Sequence, residues 1–231
     1  TGTGSALPGR IVTNKELEQL VETSDEWIRE RTGIAERHVS VGETVVTLAS
    51  EAARKALEQA GKRAEEIDLI LVATCSPEQY LPCCACQVQA DIGAVNALAF
   101  DVNAACSGFL FALNTADAYL RTGLAENALI IGSEVLSKLV DWKDRGSCIL
   151  FGDGAGAVVV ERCRTESRAV EYSNALLAAE EKRIPAAGIL GRVLHSDGTG
   201  GGVLQCGARE LATPYARTSA AKTDQNQPTD G

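Results

Sequence analysis

The stretch Asp101-Val-Asn-Ala-Ala-Cys106-Ser-Gly-Phe109 joins a short apolar run, Ala97–Val102, to a longer segment with helical apolar spacing that reaches about residue 122. The first run predicts a strand, and the second predicts a helix that begins near Ala105. Cys106 is therefore expected at the strand-to-helix junction, where the positive end of the helix dipole favours a thiolate. Small neighbours leave room for an acyl group. By position alone, however, a cysteine among alanines is more often buried packing than a nucleophile.

The segments around this junction alternate between strand-like and helix-like patterns. Residues 43–61 repeat apolar side chains with helical spacing and stop at Gly61, whereas Ile67–Thr74 is a short apolar run typical of a strand buried on both faces. A further helix is predicted near residues 83–92 and a further strand at Ala128–Gly132. Such alternation predicts an α/β fold in which helices cover a parallel sheet.

A hairpin is predicted at the end of this region. Cys148–Phe151 and Ala157–Val160 each have the apolar pattern of a strand, and Gly152-Asp-Gly154 lies between them. Because Asp-Gly between apolar runs is a hairpin signal, we expect two tightly joined strands that add an antiparallel edge to the sheet.

Composition excludes several classes of protein. The 231 residues, 45% of them apolar, can bury a sizeable core. The net charge of −9 argues against nucleic acid as a partner. No apolar run approaches the roughly 18 residues that cross a bilayer, and the first residues lack the pattern of a signal peptide, so we expect no membrane partner and a cytoplasmic location. The eight cysteines of such a chain are expected to be reduced thiols.

Several motifs in order carry a resemblance to a known family. Glu22-Thr-Ser-Asp-Glu-Trp-Ile28, Arg31-Thr-Gly-Ile34 and Glu36-Arg-His38 resemble the N-terminal signature of β-ketoacyl-acyl-carrier-protein synthase III. The resemblance covers roughly residues 1–162 and continues through Asp101–Phe109, Gly132–Leu136, Asp144–Gly146, Phe151–Gly156 and, further on, His195–Gly198.

This resemblance implies an α/β, thiolase-like fold with a mixed, mainly parallel sheet covered by helices, as the first of two similar halves. Residues 1–165 are then expected to form the N-terminal thiolase-like half with the nucleophile. Residues 166–231 are expected to hold an insertion at 166–187, the start of the second half and a disordered polar tail at 218–231.

The resemblance also implies a reaction. Cys106 takes an acyl group from acyl-CoA as a thioester, and malonyl-acyl-carrier protein then decarboxylates and condenses with it to start fatty acid synthesis. Coenzyme A thioester is a substrate, no permanently bound cofactor is expected, and the enzyme is expected to be a homodimer. The family's histidine and asparagine that polarise the malonyl thioester lie in its second half, so the 231 residues alone are expected not to condense.

Further site residues follow from the same resemblance. Trp27 and Arg145 are expected to sandwich the adenine of coenzyme A, because an indole and a guanidinium both stack on a base, with Thr23, Arg31 and Phe151 nearby. Without the resemblance, Trp27 would be an ordinary half-buried aromatic.

Two leucines are implied at the acyl pocket. Leu81 matches a position that reaches into the partner's pocket, and Leu136 matches a pocket-lining position. Both could equally be core leucines.

Other patterns have plainer interpretations. The thiols of Cys83, Cys84 and Cys86 suggest a metal, but no second Cys or His pair completes four ligands, so helix packing is favoured and no metal site is expected. Gly152–Gly156 lacks the spacing of a dinucleotide-binding loop and is interpreted as a turn. His38 and His195 are expected to make local hydrogen bonds.

Three functions remain open at this point. The first is the condensing acyltransferase, and the second is a thiolase-fold synthase of secondary metabolism that uses another starter unit. The third is a truncated, non-condensing fragment that binds acyl-CoA or forms a dimer. The absence of methionine and the polar tail favour a piece of a longer synthase over a finished short protein.

Overall fold

The structure is a computed structural model that describes residues 1–163, 188–189, 191–202 and 205–206. The chain divides into two compact units, Thr1–Leu190 and Gly191–Gly231. The expected insertion at 166–187 and the polar tail at 218–231 lie outside the described residues, and the division at residue 165 stays a prediction. In the second unit, the described residues include a 3₁₀ turn at Gly198–Gly202.

The first unit contains the sheet and the helices of the fold. Its strands are β1 (Gly2–Ala6), β2 (Arg10–Thr13), β3 (Glu36–Val39), β4 (Leu69–Ala73), β5 (Leu98–Val102), β6 (Asn127–Val135) and β7 (Asp153–Glu161). Its helices are α1 (Asn14–Leu17), α2 (Asp25–Thr32), α3 (Val45–Ala60), α4 (Cys84–Ile92), α5 (Gly108–Thr122) and α6 (Arg145–Cys148). Short 3₁₀ turns lie at Ala64–Glu66, Ala105–Ser107 and Leu136–Lys138.

Five strands form one mixed sheet in the order β1-β7-β6-β4-β5, and β2 and β3 form a separate antiparallel ribbon. In the sheet, β4 pairs in parallel with β5 and β6, whereas β7 pairs antiparallel with β6 and β1. Four strands therefore run in one direction and β7 runs in the other. The predicted mixed, mainly parallel sheet covered by helices is confirmed.

The core lies on both faces of β4, whose five residues are all buried. On one face, the small residues of α3 and the first turns of α4 pack against Ile70 and Val72. On the other, α5 packs against Leu69 and Leu71. Alternate residues of a strand point to opposite faces, which is why the continuous apolar run predicted a doubly covered strand.

The close contact between β1 and α3 requires glycine. A side-chain carbon at Gly4 would collide with the carbonyl oxygen of Ala52 in α3. The glycines of β1 therefore let the strand lie directly on the helix, where β1 and β7 extend the sheet beyond β6.

The predicted hairpin at Gly152-Asp-Gly154 is wrong. Cys148 ends helix α6, and Asp153 is the first residue of one continuous strand, β7. The Asp153 carboxylate is buried and accepts hydrogen bonds from the backbone N–H of Ser40 at 2.7 Å and of Ser137 at 2.9 Å, so it anchors a strand instead of turning one. Nor is β7 an edge strand, since it lies between β1 and β6.

Candidate active site

Cys106 lies at the predicted junction between β5 and α5. It is the central residue of the 3₁₀ turn Ala105–Ser107, which leads directly into the first turn of α5. Its side chain is exposed, in contrast to Cys84 and Cys148, which are buried. Packing therefore does not account for Cys106, and its thiol is open to a reagent.

The backbone around Cys106 is unusual. Ala105 has φ +45°, and it is the one residue other than glycine in the described part of the chain with positive φ. A left-handed conformation costs an alanine roughly 1–2 kcal/mol. After the turn, a side-chain carbon at Gly108 would come within 3.2 Å of the Ala73 side chain, so α5 begins close against the end of β4.

Three loops meet at the edge of the sheet where Cys106 lies. Because β4, β5 and β6 are parallel, the segments that follow them start from the same edge. The segment after β4 carries Leu81, the one after β5 carries Cys106, and the one after β6 begins with Leu136. The segments that carry the expected nucleophile and both expected pocket leucines therefore start from one edge of the sheet.

The two leucines differ in exposure. Leu81 is 84% exposed and precedes Pro82 through a cis peptide bond, and the neighbouring Tyr80 is 77% exposed. Leu136 is half-buried at the start of its 3₁₀ turn. The structure therefore excludes Leu81 from the core of this chain.

Glu134, which sequence reasoning did not single out, holds the segment after β4 in place. One carboxylate oxygen accepts the backbone N–H of Cys75 at 2.8 Å, and the other accepts the hydroxyls of Thr74 and Ser76. The Ser76 hydroxyl oxygen in turn accepts the backbone N–H of Val135 at 2.9 Å. The sequence signal for this anchoring role was the charged Glu134 within the apolar run that ends at Val135.

Asp101 joins the nucleophile segment to α4. Its carboxylate accepts the backbone N–H groups of Cys84 at 2.8 Å and Ala85 at 2.7 Å, which are the first two of the helix. These donors have no partner within the helix, and the helix dipole favours a negative charge there. Asp101 lies five residues before Cys106, so the position of α4 and that of the turn are linked.

The expected coenzyme A residues include a compact group at α2 and α6. The guanidinium carbon of Arg31 lies 4.3 Å from the centroid of the Trp27 ring, and that of Arg145 lies 4.8 Å from it. Both distances are within the range of cation–π attraction. Arg145 also donates to the carbonyl oxygen of Glu22 at 3.2 Å, next to Thr23.

Capping residues fix the two helices of this group. The Ser24 hydroxyl accepts the Trp27 N–H at 3.1 Å at the start of α2. Asp144 caps α6 by accepting the Gly146 N–H at 2.9 Å, and the Ser147 hydroxyl that donates to this carboxylate is the main cause of its lowered pKa. These caps stabilise the first turns of α2 and α6, the turns that carry Trp27 and Arg145.

Thr23 and Phe151 complete the expected set. The Thr23 hydroxyl oxygen is buried and has no hydrogen-bond partner within the described part of the chain. Phe151 is half-buried between α6 and β7. An unpaired buried hydroxyl is costly, and a ligand that donates or accepts a hydrogen bond there would remove the cost.

A buried arginine connects the β2–β3 ribbon to α6. Arg37 donates to the Asn14 side-chain oxygen at 2.9 Å and to the Ile149 carbonyl oxygen at 3.1 Å. Burial lowers its pKa, and the neighbouring Cys148 opposes this effect. Arg37 belongs to the motif Glu36-Arg-His38, and its hydrogen bond to Ile149 ties the ribbon to the end of α6, the helix that carries Arg145.

The remaining singled-out residues lie outside this site. His38 Nδ1 lies 2.6 Å from the Pro8 carbonyl oxygen, as expected of a local hydrogen bond, and His195 is exposed in the second unit. Cys84 packs in the core beside α3, and burial raises its pKa to about 12. The described residues contain no group of three or more His, Cys, Asp or Glu side chains arranged around a metal position. Within the same residues, no helix is both long and apolar enough to cross a membrane.

Comparisons with known proteins agree with this architecture. Residues 100–198 match the family model of 3-oxoacyl-[acyl-carrier-protein] synthase III. The β-ketoacyl-[acyl-carrier-protein] synthase III of Clostridium acetobutylicum is 48% identical over 215 residues, which are 93% of this chain and 60% of that protein. The one from Aquifex aeolicus is 48% identical over 199 residues, 86% of this chain and 61% of that protein.

Solved structures are similar to the same part of the chain. The crystal structure of the Aquifex aeolicus synthase III matches with a TM-score of 0.70 and 52% identity over 71% of this chain and 53% of that one. The priming β-ketosynthase of the R1128 polyketide pathway matches with a TM-score of 0.69 and 38% identity over 71% of this chain and 49% of that one.

The mixed sheet and the helices that cover it define a protein of the thiolase-like fold class. Within that class, the chain belongs to the β-ketoacyl-[acyl-carrier-protein] synthase III family. It spans about 60% of the length of the curated relatives it matches.

Proposed function

We propose that the protein is an acyltransferase of the condensing type that uses Cys106 as its nucleophile. It loads an acyl group from acyl-CoA onto Cys106 and condenses it with malonyl-acyl-carrier protein to start fatty acid synthesis. The observation that carries the proposal is the exposed Cys106 thiol on a strained turn at the start of α5, in a chain of this family.

The reaction has two covalent steps. In the first, the Cys106 thiolate attacks the thioester carbonyl of acyl-CoA, and coenzyme A leaves as a thiolate. In the second, the malonyl group loses CO₂, and the resulting carbanion attacks the acyl carbonyl while Cys106 leaves as a thiolate. We assign the first step to groups of this chain. We assign the polarisation of the malonyl thioester to the family's histidine and asparagine in the other half of the whole enzyme.

The coenzyme A site of this proposal consists of five residues: Trp27, Arg31, Arg145, Thr23 and Phe151. Stacking a base between two planar groups needs about 7–8 Å between them, since each layer of contact takes about 3.5–4 Å. Arg145 lies 4.8 Å from the Trp27 centroid, so the adenine enters by displacing this guanidinium outward. The side chain of Arg145 is exposed and can move without breaking the core.

Leu81 and Leu136 are assigned to the acyl pocket, and Leu81 is assigned to the pocket of a second subunit in a homodimer. The 84% exposure of Leu81 supports this assignment, because a large apolar side chain at a loop tip gains free energy when a partner covers it. The proposal also includes a cytoplasmic location, no resident cofactor, and a boundary near residue 165 between the nucleophile half and the rest.

Acyl transfer to Cys106 is tested directly with the full chain and radiolabelled acetyl-CoA. The expected result is one acetyl group per chain, mapped by mass spectrometry to Cys106 and absent in Cys106→Ala. Cys163→Ala, which removes another exposed thiol, should retain the label. The absence of label in the wild-type protein, with coenzyme A still bound, would leave the binding fragment as the better interpretation.

A second candidate is a priming synthase of secondary metabolism. It is favoured by the 38% identity to the priming β-ketosynthase of the R1128 polyketide pathway. Competition between acetyl-CoA and longer or branched acyl-CoA esters for Cys106 separates the two. Preference for acetyl-CoA supports the fatty acid starter, and preference for another ester supports the second candidate.

A further inference from the structure

The start of α4 carries three thiols that the proposed reaction does not use, and two of them, Cys83 and Cys86, are partly exposed. Cys83 is the N-cap residue of the helix, and Cys86 is its third residue, so the sequence Cys83-Cys-Ala-Cys86 places a Cys-x-x-Cys pair at a helix start. Cys83 has an extended backbone, with φ −64° and ψ 156°. In this conformation an N-cap side chain turns back over the first turn towards the third residue.

The two thiols are neighbours at the start of α4, because the N-cap residue and the third residue of a helix lie on the same turn. Hydrogen bonding with Cys83 is the main cause of the raised pKa of Cys86. The Cys86 sulfur also lies 3.6 Å from the Ala99 carbonyl oxygen of β5, which fixes its side chain beside the helix start. A disulfide needs Cβ atoms about 3.5–4.5 Å apart, and an N-cap side chain that turns back over the first turn comes close to the third residue, so a small rotation can bridge the pair.

The third cysteine of the segment is set apart from this pair. Cys84 is 1% exposed and lies in the core cluster beneath α3, whereas Cys83 and Cys86 are both partly exposed. Burial raises the pKa of Cys84 to about 12, so its thiol stays protonated and inert. With Cys84 in the core, the partly exposed pair Cys83 and Cys86 offers two sulfur atoms. Two sulfur ligands are too few for a structural metal site, but two thiols are enough for a disulfide.

We propose that Cys83 and Cys86 are a redox-active dithiol that forms a reversible intramolecular disulfide with a low-molecular-weight disulfide as oxidant. In the first step, the Cys83 thiolate attacks the oxidant, one oxidant thiolate leaves, and a mixed disulfide forms. Cys86 then loses its proton and attacks the Cys83 sulfur, and the second oxidant thiolate leaves. The protein dithiol is oxidised by two electrons, and the oxidant is reduced to two thiols.

The order of attack follows from the surroundings of each sulfur. Cys86 holds its proton between the Cys83 sulfur and the Ala99 carbonyl oxygen, and burial also disfavours its thiolate. Cys83 is partly exposed at the N-cap, next to the exposed Leu81 and Pro82, where an oxidant can reach its sulfur. Cys83 is therefore the attacking thiol and Cys86 the resolving one.

The pair is tested on the full reduced chain in mixtures of reduced and oxidised glutathione, quenched with an alkylating agent and analysed by mass spectrometry. We expect the folded protein to lose two hydrogens per chain, a peptide bridge between Cys83 and Cys86, and full reversal by dithiothreitol. Single exposed thiols such as Cys163 should carry glutathione under the same conditions, and they report that the oxidant is active.

Three variants make the result specific. Cys84→Ala should retain the bridge, whereas Cys83→Ser and Cys86→Ser should lose it and retain glutathione on the remaining thiol of the pair. Circular dichroism checks that each variant is folded. The proposal is overturned if the wild-type protein carries glutathione on Cys83 and Cys86 separately, pairs either with another cysteine, or leaves both reduced while Cys163 is fully modified.

Discussion

At the scale of single residues, the unusual feature of this chain is the backbone of Ala105, directly before the proposed nucleophile. Its position next to Cys106 was evident from the sequence, but its positive φ was not, since alanine gives no signal for a left-handed conformation. The conformation is imposed by the surrounding structure: β5 ends, the chain turns, and α5 begins close against Ala73. Strain of this kind is found where a side chain must be held in one orientation.

Replacing Ala105 by glycine should relieve this strain. We expect Ala105→Gly to raise the free energy of unfolding by about 0.5–1 kcal/mol, because the left-handed cost disappears while glycine adds entropy to the unfolded chain. Ala118→Gly, at an exposed position within α5, should instead lower it by about 1 kcal/mol. Urea denaturation of both variants gives the comparison, and equal destabilisation by both would contradict a strained Ala105.

Arginine at position 145 is expected to matter for its planar group and not only for its charge. Arg145→Lys keeps the charge but loses the face that stacks on Trp27 or on a base. We expect the Kd for coenzyme A to rise about 2–5-fold, which corresponds to a cation–π contribution of about 0.5–1 kcal/mol. Calorimetric titration measures the effect. Arg162→Lys, at a surface ion pair with Glu126, serves as the control with unchanged Kd.

At the scale of elements, the sequence predicted well what depends on local pattern. The helix within residues 43–61 is α3, and it ends with a left-handed Gly61 as its sequence indicates. Strand β4 and helices α4 and α5 also lie where the apolar spacing predicted them. The failed hairpin shows the limit of local pattern. Gly152-Asp-Gly154 has the residues of a turn, but the partners of Asp153 are more than a dozen residues away in the chain.

The N-terminus of α4 should depend on the carboxylate of Asp101. Asp101→Asn leaves one acceptor oxygen for two backbone N–H groups and removes the charge that the helix dipole favours. We expect the free energy of unfolding to fall by about 1–2 kcal/mol. Asp141→Asn, an exposed carboxylate in the turn before α6, should change it by less than about 0.5 kcal/mol. Similar values for the two variants would exclude the capping role.

Glu43, in the loop before α3, should make the stability of the protein sensitive to acid. Hydrogen bonds from the backbone N–H of Glu43 itself, and next from that of Val41, lower the pKa of the Glu43 carboxyl from 4.5 to about 2. A lowered pKa in the folded state contributes stability above pH 4.5, and this contribution is lost as the pH falls towards 2. Thermal unfolding between pH 5 and pH 2 should therefore show a smaller loss of Tm in Glu43→Gln than in the wild-type protein. Parallel curves for the two would contradict this assignment.

At the scale of the whole molecule, the two faces of the sheet are covered unequally. Helix α3 covers β1 and β7 on one face. On the other face, beside α5, an open hollow of about 420 Å³ is lined by Thr3, Phe109, Gly132, Gly156 and Val158 among others. The pairing of β1 with β7, which creates this surface, joins residues such as Gly2 and Val159 from opposite ends of the first unit. No local pattern predicts such a pairing.

Substitutions at two neighbouring residues of β7, Val158 and Val159, should differ in their effect on stability because the two faces of the sheet are covered unequally. Val159 is 1% exposed on the α3 face, and Val158 is half-buried on the face with the hollow. We expect Val159→Thr to lower the free energy of unfolding of the 231-residue chain by about 1–3 kcal/mol, because it buries a hydroxyl. Val158→Thr should cost less than about 1 kcal/mol, since water reaches its side chain. Urea denaturation measures both, and an equal cost would mean that both faces are sealed.

Three carboxylates fix the loops at the edge of the sheet where Cys106 lies. Asp101 holds the start of α4, Glu134 holds the segment after β4, and Asp153 holds the turn that begins at Leu136. Each loop is tied to the scaffold at its base, close to the strand ends, while a tip such as Tyr80–Leu81 projects freely. Loop tips can therefore be exchanged without disturbing the turn that carries Cys106. Residues 77–82 are therefore the segment in which an exchange between relatives would disturb the scaffold least.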